Sequence, residues 1–452
     1  MPIDRIAETV HSLIPAAYSE LSQLVAYRSI ANPQDAPRAE CEGAAAWVLG
    51  ALHTEGFQDL AVLDMTDGYQ SVHGFLPGPS HAPTVLLYAH YDVQPPVDEA
   101  AWTTPPFHLT ERNGRWYGRG VADSKGAVIM HLLALRALKT NGEIPVNVKM
   151  IVEGSMEQGT GGLEAYARSH PDLLAADAVV VAGAGNFRQG LPTLTVSLQG
   201  VSTVRVRVDT LHADLNAEQF GGAAPDALIA LIKMLDSLVA DDGSPAVEGL
   251  AADGEWPGMD YPEAEFRQDA KVLEGVDLIG ASSVADRLWA RPSVSVVGID
   301  CPPIAGSTPS IRASAQAVLS LSIPPGHNTE TATKLLISHL QQHVPWNARI
   351  MVEQVARREP FKADTTSPAY AAMAKAMADS YPGFEVHIAG HGGGFPLCNT
   401  LSELNPNTTI LLIGLSESEA QIHAVDESVS VDELRRLSTS EARFLVNYAR
   451  RH

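Results

Sequence analysis

The sequence predicts an α/β protein whose mostly parallel sheet is interrupted by a small α+β insertion. In the first part of the chain, apolar runs of strand length alternate with amphipathic helical segments. This alternation is typical of a parallel sheet covered by helices. Near Leu194 the pattern changes to alternating apolar and polar positions rich in β-branched residues, as in strands with one solvated face. The first pattern resumes after Pro360.

These changes predict one domain that is interrupted by another. We expect residues 1–196 and 357–452 to form the α/β domain and residues 197–356 to form the inserted domain. The insertion combines strands with helices on one side and contains an acidic loop, rich in Gly and Pro, around 241–262. A chain of 452 residues is long enough for two such domains and a sizeable core.

The periodicity of apolar residues predicts the individual elements of the α/β domain. Segments with an apolar face at helical spacing are 6–27, 39–55, 125–138, 161–168, 368–380 and 431–448. Short apolar runs predicted to be strands lie within 60–75 and at 84–90, 146–152, 179–181, 385–388 and 408–415. Pro15 is expected to interrupt the first helix, because proline lacks the backbone donor.

The same criteria apply to the insertion. Strands are predicted within 195–209 and at 294–297, 317–321 and 348–355. Helices are predicted at 225–238 and 330–341. The alternating run from Val201 to Val208 has the β-branched character expected of an edge strand, and an unpaired edge is a hazard in a monomer. We therefore expect this run to pair across the axis of a homodimer.

The composition limits the possible partners and compartment. The chain has 53 acidic and 31 basic residues, a net charge of −22, so neither nucleic acid nor an anionic membrane is expected as a partner. The N-terminus lacks a basic segment followed by an apolar one, and no apolar stretch is long enough to span a membrane. The three cysteines are widely spaced: Cys41, Cys301 and Cys398. This spacing predicts no disulfide framework and a cytoplasmic location.

Four side chains of types that commonly bind metal ions lie at the ends of predicted strands or just before a predicted helix. They are His90, Asp123, Glu157 and His423. Open α/β sheets place their ligands at the carboxyl ends of the strands. A set of two histidines and two carboxylates delivered to one edge of a sheet is the ligand set of a zinc site.

Each of these residues also has a purely structural explanation. Asp123 and Glu157 precede helical segments, where a carboxylate can cap the N-terminus. His90 could be a capped or surface histidine, and His423 a solvated loop residue. Met156, beside Glu157, could fill an irregular gap in the core, because methionine adapts to such gaps.

Motifs along nearly the whole chain resemble the M20 family of metallopeptidases, and particularly its dipeptidase branch. That branch includes carnosine dipeptidases and succinyl-diaminopimelate desuccinylase. The resemblance implies a zinc-peptidase-like catalytic domain interrupted by a small α+β (ferredoxin-like) lid that dimerises. The motifs are Ala89-His90-Tyr91-Asp92-Val93, Gly118-Arg119-Gly120, Asp123-Ser124-Lys125-Gly126, Glu153-Gly154 with Glu157 and Gly159-Thr160, and Leu211-His212 with Phe220-Gly221-Gly222 and Pro225.

The resemblance also implies roles for single residues. Asp92 matches the carboxylate that orients a histidine ligand. His212 matches a lid histidine that reaches into the partner subunit's active site and holds the scissile carbonyl oxygen. Gly393 and Gly394 match the substrate-binding loop. Four residues match metal ligands: His90, Asp123, Glu157 and His423. Among them, Asp123 matches the ligand that bridges the two metal sites.

Four positions depart from the family pattern. Met156 stands where the family has the glutamate that activates the metal-bound water. A thioether accepts no proton at neutral pH, and such proton transfer supplies roughly 10²–10⁴-fold in rate. Gly183 replaces a carboxylate that completes the first metal site. Ser322 replaces an arginine that binds the substrate carboxylate, and Gly394 replaces a small hydroxyl residue.

Three functional hypotheses follow from these departures. The first is an M20-like metal-binding enzyme that acts on a dipeptide-like or amino-acid-derived amide, with slow hydrolysis and with acyl transfer or condensation in its place. The second is an ordinary zinc dipeptidase or amidohydrolase. The third is a non-catalytic homologue that binds a ligand or a partner. One zinc ion is expected to bind tightly, because Gly183 removes a ligand of the first site.

Overall fold

The computed structural model describes residues 3–393 and 395–451, and the chain forms two units. The first unit contains the chain up to Val196, the segment Ala363–Ala389 and the chain from Pro396 onward. The second unit contains Ser197–Lys362 and the short segment that begins at Gly390 and ends at Phe395. A loop from the C-terminal part of the sequence is therefore part of the second unit.

Most of the predicted elements are confirmed, with ends shifted by a few residues. The α-helices are α1 (Ile3–Val25), α2 (Arg38–Thr54), α3 (Lys125–Asn141), α4 (Gly162–Ser169), α5 (Ala217–Phe220), α6 (Ala227–Asp236), α7 (Glu263–Asp269), α8 (Thr329–Gln342), α9 (Pro368–Ser380), α10 (Pro396–Leu404) and α11 (Val431–Ala449). The strands are β1 (Gln58–Asp64), β2 (Gln70–Leu76), β3 (Thr84–His90), β4 (Thr110–Arg112), β5 (Arg115–Tyr117), β6 (Asn147–Glu153), β7 (Ala178–Ala182), β8 (Thr193–Leu198), β9 (Gly200–Asp209), β10 (Leu215–Asn216), β11 (Ser293–Ile299), β12 (Ser310–Ile311), β13 (Ser314–Ile323), β14 (Arg349–Arg358), β15 (Phe361–Lys362), β16 (His387–His391), β17 (Thr409–Ile413) and β18 (Ser428–Ser430).

The sheet of the first unit is mixed, with the strand order β1-β2-β6-β3-β7-β17-β8. The four middle strands β6, β3, β7 and β17 are parallel to one another. Antiparallel pairs flank them, β1 with β2 and β2 with β6 on one side, and β17 with β8 on the other. The parallel strands are almost completely buried, as expected for a sheet covered by helices. Their carboxyl ends meet at one edge.

Helices α1, α3, α9 and α11 pack together beside this sheet. The predicted interruption of the first helix at Pro15 is wrong, because α1 continues through it. The buried apolar residues Ile6, Val10 and Leu21 tie the helix to the core on both sides of the proline. Burial of this face outweighs the lost backbone hydrogen bond, because tertiary packing supplies most of a helix's stability in a protein.

The second unit is built on a four-stranded antiparallel sheet of order β11-β13-β9-β14. Helices α6 and α8 pack on one face of it, where Val204, Leu319 and Leu336 are fully buried. In sequence order the elements read strand, helix, strand, strand, helix, strand. This is the ferredoxin-like arrangement that the family resemblance implies.

The proposed dimer edge at Val201 to Val208 is wrong. These residues belong to β9, which pairs with β13 on one side and β14 on the other. Alternating β-branched residues indicate a strand with one buried face, and that pattern is the same for central and edge strands. The edges of this sheet are β11 and β14.

Some elements were not predicted. A small sheet joins β4, β5 and β18, and α10 follows the glycine-rich loop. These strands have three residues each, which is too short to show a period. Cys41, Cys301 and Cys398 are free thiols. Among the described residues, no helix combines the length and the apolar character needed to cross a membrane.

Candidate metal centre

The candidate metal centre lies in the first unit, where β3 and β6 end side by side. These strands are parallel, and His90 lies opposite Glu153. The loops that follow them carry Asp92 and the short turn Met156–Gln158 to the same edge of the sheet. Asp123 immediately precedes Ser124, the first residue before α3. The parallel register therefore brings together side chains that are far apart in sequence.

The carboxylate of Asp123 lies between two histidines. Its Oδ1 atom is 3.0 Å from His90 Nε2, and its Oδ2 atom is 3.0 Å from His423 Nε2. His423 Nε2 is also 3.1 Å from Glu157 Oε1. Donor atoms of His90, Asp123 and Glu157 all lie within 4.8 Å of one another. The structure thus brings the four sequence-predicted ligands together, and their role as ligands stays a prediction.

These separations suit a metal ion. In a tetrahedral zinc site with bonds of roughly 2.0–2.1 Å, neighbouring donor atoms are about 3.3 Å apart. The donors fall into two groups that share Asp123. By contacts of 3.0–3.1 Å among the described residues, one group has Asp123 Oδ2, Glu157 and His423, and the other has Asp123 Oδ1 and His90. The first group offers the three protein ligands usual in a catalytic zinc site.

The capping explanation for the two carboxylates has no support in the hydrogen bonds. The N-cap residues of α3 and of the turn Met156–Gln158 are Ser124 and Ser155, and neither makes a side-chain capping hydrogen bond. The Asp123 oxygens contact histidine nitrogens instead. Glu157 contacts His423 and accepts a hydrogen bond from Gln94 Nε2 at 3.0 Å. These carboxylates therefore face the centre rather than a helix N-terminus.

Asp92 joins the two loops that follow β3 and β6. It is completely buried, and its carboxylate accepts hydrogen bonds from the backbone N–H groups of Met156 at 3.2 Å and Glu157 at 2.8 Å. Its Oδ1 atom is also 3.4 Å from His90 Nδ1, which lies 3.1 Å from the Asp92 carbonyl oxygen. Asp92 thus fixes the orientation of His90 and the position of Glu157.

Glu427 has the same function for the loop before α3. Its buried carboxylate accepts hydrogen bonds from the N–H groups of Gly120, Ala122 and Asp123 at 3.0–3.2 Å. It also pairs with the buried guanidinium of Arg119 at 2.8 Å. Glu427 is not predicted from the sequence, because residue type alone does not distinguish a buried acid from a surface one. Its closeness to His423 in the chain was the available signal.

Two glycine positions explain part of the motif pattern. A Cβ at Gly154 would lie 2.1 Å from the Tyr91 hydroxyl oxygen, and a Cβ at Gly126 would lie 2.0 Å from the Val121 carbonyl oxygen. Both contacts are far shorter than a carbon–oxygen contact permits. Glycine at these positions lets the loops approach closely, which brings their side chains to the centre.

Hydrogen bonding changes the pKa values of the clustered groups. Contacts with Asp123 and Glu157 raise the pKa of His423 to about 10. Burial lowers the pKa of His90, but hydrogen bonds to Asp123 and Asp92 outweigh it and leave that pKa well above its usual value. Burial raises the pKa of Asp123, and the two histidines more than reverse this. A divalent cation would replace protons on the histidines, so binding should release protons.

The side chain of Met156 is partly exposed. The alternative that it fills a gap in the core is therefore not supported. It precedes Glu157 in the turn that Asp92 holds. Gly183 follows the end of β7 and has no side chain to offer. Neither residue can supply the proton acceptor or the metal ligand that the family pattern has there.

The other predicted site residues that the structure describes belong to the second unit. His212 is exposed and follows β9, and it lines a cavity with Pro225 and Trp346. The Gly393 N–H donates a hydrogen bond to His391 Nδ1 at 3.0 Å. Gly394 lies outside the described residues. Ser322 is on β13 and is partly exposed.

Comparison with known proteins gives concordant matches. The model of "Peptidase family M20/M25/M40" matches residues 86–447. A cysteinylglycine-S-conjugate dipeptidase of Corynebacterium striatum is 37% identical over 437 residues, 96% of this chain and 95% of that protein. The Cys-Gly metallodipeptidase dug1 of Schizosaccharomyces pombe is 28% identical over 77% of this chain and 76% of its own length.

A solved structure shows the same fold. The crystal structure of human carnosine dipeptidase 1 superposes with a TM-score of 0.83 at 24% sequence identity. The match covers 100% of this chain and 99% of the human one. The mixed sheet and the ferredoxin-like arrangement are therefore those of a known dipeptidase fold.

Replacement of Asp92 should weaken metal binding. Asp92→Asn removes the negative charge and turns one acceptor into a donor that faces backbone N–H groups. We expect zinc affinity to fall roughly 10- to 100-fold, the usual effect of losing such a supporting residue. Competition with a chromophoric chelator measures this. The matched control is Asp379→Asn, which alters a surface ion pair with Lys375. Equal affinity in native protein and Asp92→Asn would contradict the assigned role.

Proposed function

The chain belongs to peptidase family M20/M25/M40, and on this premise we propose that it is a metal-dependent enzyme acting on the amide bond of a dipeptide-like or amino-acid-derived substrate. The Asp123 carboxylate shared by two histidines, with Glu157 beside it, is the observation that supports this proposal most directly. A chain that had abandoned metal chemistry would have no need of four converging ligands and a buried carboxylate to orient them.

A divalent metal held by Asp123, Glu157 and His423 would polarise the substrate carbonyl. Asp92 keeps His90 and the Glu157 turn in place. Met156 stands beside that site and accepts no proton, so deprotonation of an attacking water lacks its usual base. A neutral amine attacks before it loses its proton, and that proton then passes to the amine nitrogen of the substrate amide as the original C–N bond breaks and the new one is kept. We therefore propose that hydrolysis is slow and that acyl transfer to an amine depends less on the missing base.

Ordinary dipeptide hydrolysis is the second candidate. It is favoured by the 37% identity, over nearly the whole chain, to a protein described as a cysteinylglycine-S-conjugate dipeptidase. The retained residues His90, Asp92 and Asp123 also suit it. The two candidates differ in one respect: only the second requires fast water activation despite Met156. A third candidate, ligand binding without catalysis, has no specific observation in its favour.

We also propose a cytoplasmic homodimer with one zinc ion per chain. The free cysteines suit a reducing compartment. The second unit offers two sheet edges, of which β11 exposes Val297 and β14 exposes Met351. An open edge of this kind is usually covered or paired. Pairing of equivalent edges across a two-fold axis would cover it.

Dipeptide hydrolysis tests the role of Met156. With excess zinc, the native protein should hydrolyse Cys-Gly and β-Ala-His slowly. Met156→Glu restores a proton acceptor, and we expect the rate to rise at least roughly tenfold, less than the full 10²–10⁴ of a general base, because Gly183 and Ser322 remain. Met156→Glu with Gly183→Asp should be faster still. Liberated amino acids are quantified by chromatography.

Met259→Glu is the matched control, because Met259 is partly exposed in the loop between α6 and α7 and lies on neither sheet edge. It makes the same chemical change without altering the metal centre, so its rate should equal that of native protein. Rapid hydrolysis by the native protein, unchanged in both test variants, would refute the slow-hydrolysis proposal and favour the ordinary dipeptidase.

Metal content tests the loss at Gly183. We expect dialysed native protein to retain about one zinc ion per chain, since one group of donors has three members and the other only two. Gly183→Asp should bring the content towards two. Gly50→Asp, in open space on α2, is the control. Elemental analysis that finds two ions in native protein would contradict the prediction.

Light scattering coupled to gel filtration tests the dimer. At micromolar concentration we expect the mass of two chains. Two variants each place a charge on one sheet edge, Val297→Lys on β11 and Met351→Lys on β14. The variant whose edge pairs in the dimer should dissociate into monomers. A native monomer would contradict the dimer, and two dimeric variants would contradict pairing through these edges.

A further inference from the structure

His423 lies on a loop of the first unit, residues 420–428, which we call the histidine loop. The N–H of its last residue donates a hydrogen bond to the carbonyl oxygen of its first residue at 2.9 Å. Three of its residues other than glycine have a left-handed backbone: Gln421, His423 and Asp426, with φ values of 51°, 61° and 60°. Such conformations persist only where the surrounding structure holds them. The position of His423 therefore depends on contacts between this loop and the rest of the first unit.

A second loop contacts both the histidine loop and Glu157. We call it the brace loop; it comprises residues 94–103 and lies between β3 and β4. At its first residue, Gln94 Nε2 donates to Glu157 Oε2 at 3.0 Å and to the Glu157 carbonyl oxygen at 3.2 Å. At its last residue, Thr103 donates twice to Asp426, from its N–H to Oδ1 at 2.9 Å and from its hydroxyl to Oδ2 at 2.6 Å. The brace loop thus connects the segments that carry two of the predicted ligands.

A buried guanidinium joins the same two loops. Arg119 is 1% exposed, and its Nη2 atom donates to the carbonyl oxygens of Pro95 at 3.1 Å and Ala424 at 3.2 Å. Pro95 belongs to the brace loop, and Ala424 directly follows His423 in the histidine loop. The Arg119 Cζ atom also lies 5.3 Å from the ring centroid of Trp102, another residue of the brace loop. The two loops are therefore packed against one charged group as well as against each other.

Asp426 is the side chain through which the histidine loop contacts the brace loop. Its carboxylate is 23% exposed and lies 3.8 Å from Arg112 Nη2, on β4. Both carboxylate oxygens accept hydrogen bonds from Thr103. The geometry therefore gives Asp426 the role of holding the loop rather than binding a metal ion.

We propose that Asp426 and Thr103 are positioning residues for His423 and act through the histidine loop. Without their contact the loop should sample other conformations, and His423 should reach the candidate centre only part of the time. The apparent affinity for a ligand falls in proportion to the fraction of molecules that are competent to bind it. Because Gln94 of the brace loop contacts Glu157, the same loop supports two predicted ligands. The inference rests on the proposed function, because it concerns the metal ion that this function requires.

Zinc affinity of the full-length protein, measured by competition with a chromophoric chelator, tests the proposal. Asp426→Ala removes both acceptors, and we expect the affinity for zinc to fall roughly 10-fold, the effect of losing two hydrogen bonds. Thr103→Val removes only the hydroxyl donor and should lower the affinity roughly threefold. Thr103→Ser returns the hydroxyl and should bind zinc as native protein does. Circular dichroism checks that each variant is folded.

A double variant and a matched control make the test specific. Asp426→Ala combined with Thr103→Val should bind zinc no more weakly than Asp426→Ala alone, because the two residues act through one contact. The control is Asp364→Ala. Asp364 likewise accepts hydrogen bonds from the N–H and the hydroxyl of one threonine, Thr366, at 2.9 and 2.6 Å, but it lies in the segment before α9. The control should bind zinc within about twofold of native protein.

Cobalt(II) in place of zinc distinguishes positioning from direct ligation, because its visible absorption spectrum depends on the number and geometry of its ligands. At saturating cobalt, Asp426→Ala should show the native spectrum, since His423 is still present, and only the concentration needed for saturation should rise. His423→Ala should change the spectrum itself. A spectrum of Asp426→Ala that differs from the native one at saturation would identify Asp426 as a ligand and overturn the positioning role.

Three further results would overturn the positioning role while leaving the proposed function intact: unchanged zinc affinity in Asp426→Ala, an equal loss in Asp364→Ala, or additive losses in the double variant. Native protein that binds no zinc would overturn both. These measurements do not depend on turnover. A protein that shows the expected zinc affinities but has neither hydrolase nor acyl-transfer activity in rate assays would overturn the proposed function alone.

Discussion

The carboxylate of Asp92 is completely buried, yet it faces one histidine ring and two backbone N–H groups. A buried charge is tolerated only with such partners. In satisfying its own hydrogen bonds, Asp92 joins the loop after β3 to the loop after β6. Glu427 does the same for the loop before α3. Every ligand of the candidate metal centre except His423 is held by one of these two acids.

Parts of this arrangement could be predicted from patterns in the sequence. The buried strands ending at His90 and Glu153 follow from apolar runs, and parallel strands bring their ends together. An α+β second unit follows from alternation and helix periodicity, whereas its ferredoxin-like arrangement is what the family resemblance implies. The identity of the central strand in that unit does not follow from these patterns, because β9 has the same β-branched pattern that an edge strand would have. Hydrogen-bond partners, not composition, distinguish the two.

Other features depend on tertiary contacts that no local pattern records. Pro15 stays within α1 because apolar residues on both sides are buried. Glu427 supports Asp123 from 304 residues away, and nothing in its neighbourhood marks it as buried. The side chain of Arg358 faces open solvent only because a bulge near Val355 changes the alternation of β14. A one-residue irregularity of this kind reverses which face a side chain occupies.

The candidate centre is held by a framework of buried groups. Asp92, Glu427 and the close-packed glycines Gly126 and Gly154 fix the positions of the loops that carry its side chains. Met156 and Gly183 belong to this framework only through their backbone, because neither offers a proton acceptor or a metal ligand. The framework determines the shape and charge of the centre, and these determine which ligands it can accept.

The long separation between Asp123 and His423 has a consequence for biosynthesis. Their contact spans 300 residues, and the inserted unit lies between them in the chain. During translation the N-terminal strands can pair early, whereas the centre stays incomplete until the C-terminal segment has left the ribosome. Contacts of such high sequence separation form late, since the entropy of closing the loop must first be overcome. Completion of the candidate centre therefore marks the end of folding, and a chain truncated before His423 would have strands and helices but no complete centre.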